Sequence, residues 1–286
     1  MTATTTTTAP VPFGARLRTA MDTRGPLCVG IDPHASLLAD WGLDDTVAGL
    51  ERFTRTTVEA LADRVAVLKP QSAFFERFGS RGVAVLEKAV AEARSAGALV
   101  LMDAKRGDIG STMAAYAATY LAPESPLFSD AVTVSPYLGF GSLRPALDAA
   151  AAAGAGVFVL ALTSNPEGAE VQRATAADGR SLAQVMLDHM AAENAGAVPL
   201  GSVGAVVGAT LHDAGVELAI NGPLLAPGIG AQGATPADLP RVFGSAVGDV
   251  VPSVSRGVLR HGPDAAALRS AAARFADEVR AAVSAI

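Results

Sequence analysis

The sequence has few of the features that mark secreted, membrane-bound or nucleic-acid-binding proteins. It contains one cysteine, Cys28, among 286 residues, so it can form no internal disulfide. Its net charge is -6, and it has no basic stripe interleaved with aromatic residues, which argues against a nucleic-acid partner. The longest apolar stretch, residues 149–162, is interrupted by glycine and is too short to span a bilayer. We therefore expect a cytoplasmic protein that has no membrane association.

The beginning of the chain differs from the rest in composition. Residues 1–12 are rich in threonine and lack both the basic and the apolar region of a signal peptide. We predict that they form a disordered tail and that residues 13–286 form one domain. Hydrophobic residues make up 50 % of the chain, which is enough for a large core. Glycine and proline are spread between the predicted elements, so no linker divides the domain.

Short apolar runs alternate with longer amphipathic segments along the whole chain. The runs that read as strands are residues 27–31, 65–69, 98–103, 131–134, 157–162, 203–207, 223–226 and 250–254. The segments that read as helices include residues 47–61, 82–96, 143–153, 182–194, 236–243 and 264–286. Eight such alternations predict a single-domain α/β protein of the (β/α)8 TIM-barrel class. A doubly wound open sheet is the alternative. The long segment 165–202 predicts an insertion over the barrel mouth.

Ionisable residues follow these strands where each strand ends. Asp32 follows the first strand, Lys69 ends the second, and Asp103 and Lys105 end the third. Residues two apart in a strand point to the same face, so Asp103 and Lys105 would project together. Asp108 lies three residues further on, in a loop. Barrel enzymes place their chemistry at the carboxyl ends of the strands, so this cluster predicts an active site.

The acidic surroundings of Lys105 favour one kind of chemistry over another. A lysine that forms a Schiff base needs apolar burial or a second cation to expose its neutral amine. Carboxylates beside Lys105 favour the charged ammonium instead. We therefore expect Lys105 to donate a proton to a carbanion-like centre, and Lys69 to offset repulsion between the carboxylates.

A glycine-rich loop follows the seventh strand. Residues 228–233 read GIGAQG and match the dinucleotide pattern G-x-G-x-x-G, but that pattern normally opens the first βαβ unit. Barrels often bind phosphate at the loops after strands seven and eight, where glycines let backbone N–H groups approach the ligand. Arg256 follows the eighth strand and offers a planar fork of donors for phosphate oxygens. The sequence thus predicts a phosphate site.

No metal or cofactor motif is present. His34, His189, His212 and His261 are scattered, without H-E-x-x-H or paired cysteines, and are interpreted as surface or packing residues. A Walker-type phosphate loop is also absent. We therefore expect no metal and no cofactor.

Five motifs together resemble the orotidine 5'-phosphate decarboxylase family over nearly the whole barrel. They are DAKRGDIGST at 103–112, IDP at 31–33, KPQSAFFE at 69–76, APGIGAQG at 226–233 and SRG at 255–257. The chain length and TSNPEG at 163–168 resemble the longer bacterial type (the type 2 subfamily). The resemblance implies cofactor-free conversion of orotidine 5'-phosphate to UMP and CO2, the last step of de novo UMP synthesis.

The resemblance also implies a role for each matching residue. Lys105 would protonate C6 of the pyrimidine, Asp103 would lie against the departing carboxylate, and Lys69 and Asp108 would complete a Lys-Asp-Lys-Asp array. The partner subunit would supply Asp108 and Thr112 to each site, so the resemblance implies a homodimer with shared active sites. The implied substrate-binding residues are Asp32 for the ribose, Ser164 or Asn165 for the pyrimidine, and Gln232, Arg256, Gly230 and Gly233 for the phosphate.

Three other functions remain open from the sequence. A metal-dependent sugar-phosphate decarboxylase or aldolase of the same superfamily would share D-x-K-x-x-D. A non-catalytic phosphate-binding barrel would keep the glycine loop without the charge array. A dinucleotide-binding oxidoreductase would use the same glycines for NAD(P)H.

Overall fold

The computed structural model describes residues 9–211, 213–230 and 233–283. Eight parallel strands close into a barrel in sequence order. They are β1 (Cys28–Ile31), β2 (Val67–Pro70), β3 (Leu99–Arg106), β4 (Ala131–Val134), β5 (Gly156–Leu162), β6 (Val203–Val207), β7 (Leu224–Pro227) and β8 (Val250–Val254). All eight predicted strands are present. Cys28 of β1 pairs with Ser253 of β8, which closes the barrel and excludes the open doubly wound sheet.

Helices surround the barrel. They are α1 (Phe13–Arg24), α2 (Ala35–Asp40), α3 (Val47–Leu61), α4 (Ala73–Glu76), α5 (Ser80–Ser95), α6 (Gly110–Leu121), α7 (Arg144–Ala153), α8 (Ala169–Gln172), α9 (Leu182–Glu193), α10 (Leu239–Phe243), α11 (Arg256–Leu259) and α12 (Ala265–Val283). The predicted helix at 236–243 forms a 3-10 turn, Pro236–Asp238, followed by α10. None of the helices in the described ranges has the length and apolar character needed to cross a bilayer.

Helix α3 illustrates how the outer layer forms. Leu50, Phe53, Val58 and Leu61 recur at helical spacing and are buried against the barrel. The side chain of Thr46 begins the helix by accepting a hydrogen bond from the backbone N–H of Gly49, at 3.2 Å. Burial of this apolar face fixes the helix on the outside of the sheet.

The amino-terminal helix α1 closes the bottom of the barrel, opposite the strand ends that carry the polar residues. Its Phe13 ring meets the ring of Phe158 edge-to-face at 5.9 Å. A Cβ at Gly156 would lie 2.4 Å from the Phe13 ring, so this position admits only glycine. Residues 9–12 precede α1 and are exposed, and residues 1–8 of the predicted tail lie outside the described residues.

The segment after β5 contains more structure than one loop and one helix. A 3-10 turn, Pro166–Gly168, leads into α8, and α9 follows. The side chain of Gln172 returns to the end of β5, where its Oε1 accepts the backbone N–H of Thr163 at 2.9 Å. The segment is thereby fixed to the rim of the barrel beside Thr163.

Candidate active site

A cavity of about 530 Å³ opens at the carboxyl ends of the strands. The apolar side chains of Leu160, Val206 and Leu225 line its deeper part. The polar residues that line it are Asp32, His34, Lys69, Gln71, Asp103, Lys105, Thr133, Thr163, Ser164, Asn165, Ser253, Ser255 and Arg256. All eight strands or the loops after them line the cavity, and all but β6 and β7 contribute at least one polar side chain. The cavity thus has an apolar floor and a strongly polar wall.

Lys69 and Asp103 form a buried ion pair in this wall. Lys69 Nζ donates to Asp103 Oδ2 at 2.7 Å, and the two residues are 5 % and 8 % exposed. They lie on neighbouring strands, because β2 and β3 pair in parallel. A buried charge is tolerated only when it is paired, and here each residue supplies the partner of the other.

The pair is held in its charged form. Burial on its own would lower the pKa of Lys69, but the Asp103 and Asp32 carboxylates outweigh it and raise that pKa above the usual range. Burial would likewise raise the pKa of Asp103, but the Lys69 and Lys105 ammonium groups outweigh it and hold that pKa well below its usual range. The cavity therefore contains fixed, opposite charges at neutral pH.

Lys105 joins this pair from the mouth of the cavity. Its Nζ donates to Asp103 Oδ1 at 2.5 Å, so the two carboxylate oxygens of Asp103 each accept from a different lysine. The Lys105 side chain is 44 % exposed, in contrast to buried Lys69. Its backbone φ is 47°, which is uncommon for a residue with a side chain. Of the two lysines that line the cavity, Lys105 is the more accessible to a ligand.

Asp108 and Thr112 lie apart from the three residues above. Neither lines the cavity of the described chain. The carboxylate of Asp108 accepts the backbone N–H of Ile109 at 2.8 Å, just before α6, and Thr112 is exposed on the first turn of that helix. The backbone reaches this position by passing close to β4, since a Cβ at Gly107 would lie 2.4 Å from the carbonyl oxygen of Ser135. One chain therefore assembles three members of the predicted four-residue array.

Two buried oxygen atoms at the cavity have no hydrogen-bond partner among the described residues. They are Oδ1 of Asp32 and Oγ of Ser255, and both residues line the cavity. Buried polar atoms in proteins are almost always paired, so an unpaired one in a cavity wall indicates a ligand group. Asp32 was predicted from the sequence, whereas Ser255 was not.

The glycine loop lies at the same mouth. Gly228 and Ile229 line the cavity, and so does the exposed Arg256 at the start of α11. The backbone N–H of Gly230 donates to the carbonyl of Ala234 at 2.7 Å, and that of Gly233 donates to the carbonyl of Gly230 at 3.1 Å. Both N–H groups are thus used within the loop, so the predicted role of these two donors requires the loop to rearrange. Predicted Gln232 lies outside the described residues.

Ser164 and Asn165 both line the cavity, so the structure keeps both as candidates for contact with a substrate. Asn165 is held by its neighbours: its Oδ1 accepts from Thr163 Oγ1 at 2.6 Å, and its Nδ2 donates to Glu167 at 3.0 Å. Thr163 was not selected from the sequence, although it stands in the same short polar run after β5.

The sequence interpretation did not select Thr133 or His34 as residues of the cavity, although both line it. Thr133 is the one hydroxyl residue in the apolar run of β4, a signal that was present in the sequence. His34 was interpreted as a surface or packing residue. It does contact the Phe74 ring, at 4.4 Å between ring centres, but it also lines the cavity. His189 stacks on Phe140 at 4.9 Å, and His212 lies outside the described residues.

Within residues 9–211, 213–230 and 233–283, no group of three or more His, Cys, Asp or Glu side chains is arranged to hold a metal ion. The fold and site together define a barrel enzyme whose mouth carries a fixed row of lysine and aspartate charges.

Comparison with known proteins identifies the family. The orotidine 5'-phosphate decarboxylase / HUMPS family model matches residues 25–271. A Streptomyces coelicolor protein named orotidine 5'-phosphate decarboxylase is 77 % identical over 275 residues, which cover 96 % of this chain and 99 % of the relative. A Corynebacterium efficiens protein of the same name is 54 % identical, with coverage of 93 % and 96 %.

This chain has the same fold as a solved structure from Streptomyces avermitilis. That structure is provisionally named an orotidine 5'-phosphate decarboxylase. It is 76 % identical, superposes with a TM-score of 0.95 and covers 97 % of this chain and 98 % of its own. The chain belongs to the orotidine 5'-phosphate decarboxylase / HUMPS family.

Proposed function

We propose that this protein decarboxylates orotidine 5'-phosphate to UMP and CO2, the last step of de novo UMP synthesis, without a cofactor. One observation carries the proposal. At the cavity mouth, the buried carboxylate of Asp103 accepts hydrogen bonds from the ammonium groups of both Lys69 and Lys105. Family membership and the names of the close relatives support the same activity.

In this reaction the bond between C6 and the carboxylate carbon breaks, and its electron pair stays on C6. The substrate carboxylate would lie against Asp103, so that like charges face each other before CO2 departs. Lys105 then supplies the proton that forms the new C6–H bond. Lys105 is suited to this step because its side chain is half-exposed and lines the cavity, and its ammonium group already contacts Asp103.

Proton donation alone cannot account for the rate. General acid catalysis contributes roughly 10²–10⁴-fold, whereas enzymes typically reach accelerations of up to about 10¹⁷-fold. The remainder is assigned to charges that are in place before the substrate arrives, and to binding energy from the phosphate that is expressed in the transition state. The charged forms of Lys69 and Asp103 provide such fixed charges.

The rest of the cavity suits the other parts of this nucleotide. The unpaired Oδ1 of Asp32 and Oγ of Ser255 suit the ribose hydroxyls. Ser164 or Asn165 would contact the pyrimidine, whose ring would lie over the apolar floor. Arg256 and Gln232 would hold the phosphate, joined by the backbone N–H groups of Gly230 and Gly233 once the loop rearranges.

The active form in this proposal is a homodimer in which Asp108 and Thr112 enter the partner's site. Asp108 lies outside its own chain's cavity, and three apolar residues on neighbouring loops are exposed: Ile109 at 62 %, Tyr137 at 76 % and Leu138 at 52 %. Exposed apolar side chains beside an incomplete site favour a second copy of the chain as their cover. A cytoplasmic location is part of the proposal; its support is compositional, namely a single, unpaired cysteine.

The test is to incubate the purified protein with orotidine 5'-phosphate in excess EDTA and to quantify UMP and CO2. Stoichiometric formation of both, unchanged by added Mg²⁺, is expected. Activity that EDTA removes and Mg²⁺ restores would instead indicate a metal-dependent sugar-phosphate enzyme of the same superfamily. If no UMP forms in EDTA and none forms after Mg²⁺ is added, the proposal is refuted.

A further inference from the structure

Strand β3 bulges where it carries its catalytic candidates. Met102 pairs with Val132 of β4, and the next paired position joins Arg106 to Val134. Three residues of β3, from Asp103 to Lys105, therefore lie opposite a single residue of β4, which is Thr133. Bulges of this kind redirect side chains and leave backbone groups without partners in the sheet.

Thr133 occupies the position opposite the bulge and binds both of its ends. The backbone N–H of Lys105 donates to Thr133 Oγ1 at 3.0 Å, and the same hydroxyl donates to Asp103 Oδ1 at 3.0 Å. A hydroxyl can do both, because it carries one donor and two acceptor positions. Thr133 is 1 % exposed, so bulk water competes little for the two hydrogen bonds of this hydroxyl.

The two hydrogen bonds of Thr133 fix two different parts of the site, the backbone of Lys105 and the carboxylate of Asp103. The first holds Lys105 in its left-handed backbone conformation, which residues with a side chain rarely adopt without support from their surroundings. The second orients the same carboxylate oxygen of Asp103 that Lys105 Nζ contacts. One side chain thus fixes both the proton donor and the carboxylate it faces.

We propose that Thr133 is a positioning residue for decarboxylation, which aligns Lys105 with Asp103 through its hydroxyl and does not itself take part in proton transfer. This inference rests on the proposed function. When the reacting groups are misplaced, the enzyme loses far more stabilisation of the transition state than of the bound substrate. Loss of the hydroxyl should therefore lower kcat and leave KM nearly unchanged.

The test compares Thr133→Val, which removes the hydroxyl and keeps the branched shape, with Thr133→Ser, which keeps the hydroxyl. The matched control is Thr57→Val. Thr57 is also fully buried, and its hydroxyl donates to the carbonyl of Phe53 at 2.9 Å, but it lies in α3, remote from the cavity. For each protein, kcat and KM for orotidine 5'-phosphate, the dissociation constant of UMP and the melting temperature are measured.

We expect Thr133→Val to lower kcat by about 10–100-fold, the size expected for a lost hydrogen bond to a charged group, with KM and UMP affinity within about 3-fold of wild type. Thr133→Ser should keep kcat within about 3-fold of wild type. Thr57→Val should leave kcat unchanged while lowering the melting temperature as much as Thr133→Val does.

An equal loss of kcat in Thr57→Val would mean that Thr133 acts only through stability. A wild-type kcat in Thr133→Val, or the same loss in Thr133→Ser, would overturn the inference. If wild type itself forms no UMP, the proposed function fails, which is a separate outcome.

Discussion

Lys69 Nζ lies 2.7 Å from Asp103 Oδ2, and both residues are buried in the wall of the cavity at the barrel mouth. A buried ion pair of this kind contributes little to stability, because removing two charges from water offsets most of their attraction. Its presence is better explained by the electrostatic demands of the reaction. The pair therefore gives separate, testable effects on stability and on activity.

Breaking the pair from one side should destabilise the protein strongly. Asp103→Asn leaves the Lys69 ammonium buried without its main partner, and we expect it to lower the free energy of unfolding by about 3–5 kcal/mol. Replacing both residues, as in Lys69→Met/Asp103→Leu, should recover most of that loss, since no charge is then buried. Urea unfolding at pH 7 measures both. Neither variant should form UMP.

The control for this experiment is Lys88→Met, which removes an exposed ion pair to Glu51 and should change the free energy of unfolding by less than about 1 kcal/mol. A double variant that is less stable than Asp103→Asn would show that the pair itself stabilises the fold, contrary to our interpretation.

The contribution of the pair to stability should be constant across the neutral range. The pKa of Asp103 is lowered from 3.8 in the folded protein, so its contribution is present above that value and is lost as the pH falls. The pKa of Lys69 is raised from 10.5, so its contribution is present below that value and is lost as the pH rises. The difference in unfolding free energy between wild type and Lys69→Met/Asp103→Leu should thus be flat from about pH 5 to about pH 9.5. A difference that titrates near pH 7 would contradict these assignments.

Much of the fold followed from the alternation of apolar runs, because strands buried on both faces read as short continuous runs of apolar residues. Helix α1 was not predicted from the sequence, because it closes the bottom of the barrel through contacts between residues that are distant in the chain, such as Phe13 and Phe158. At the site, strand-end position was enough to select Lys69, Asp103 and Lys105. Thr133 required the register of β3 against β4. Strand position alone did not separate Asp108 from its own cavity; the family resemblance implied that separation, and the path of the chain after Gly107 accounts for it.

A shared active site predicts complementation between two inactive variants. When Lys105→Ala and Asp108→Ala chains exchange subunits, one site of each hybrid dimer receives intact Lys105 from one chain and intact Asp108 from the other. Half of the dimers are then hybrids with one good site, so about a quarter of wild-type activity should return. The turnover of UMP formation after confirmed exchange measures this.

The control mixture is Lys105→Ala with Asp103→Ala. These two residues lie in the same cavity of the same chain, 2.5 Å apart between Nζ and Oδ1, so we expect no complete hybrid site and no activity. Equal recovery in both mixtures, or in neither, would argue against Asp108 crossing to the partner's site.

Arg256 should act on substrate binding through the phosphate. It is exposed at the cavity mouth and forms no ion pair among the described residues, which leaves its donors available to a ligand. Arg256→Ala should raise KM for orotidine 5'-phosphate by about 10–100-fold, the size expected for lost hydrogen bonds to a charged group. The control is Arg260→Ala, an exposed arginine just after α11 that does not line the cavity. Similar KM values for the two variants would remove Arg256 from the phosphate site.

The most direct test of the central claim is the turnover number of Lys105→Ala with orotidine 5'-phosphate, measured alongside its affinity for UMP and its melting temperature. Because the Lys105 side chain is half-exposed, the variant should fold normally and bind UMP. Its kcat should fall by at least about 10²–10⁴-fold, the contribution expected of the general acid, and further because the fixed charge of Lys105 is lost as well. A folded Lys105→Ala variant that forms UMP at nearly the wild-type rate would contradict the account.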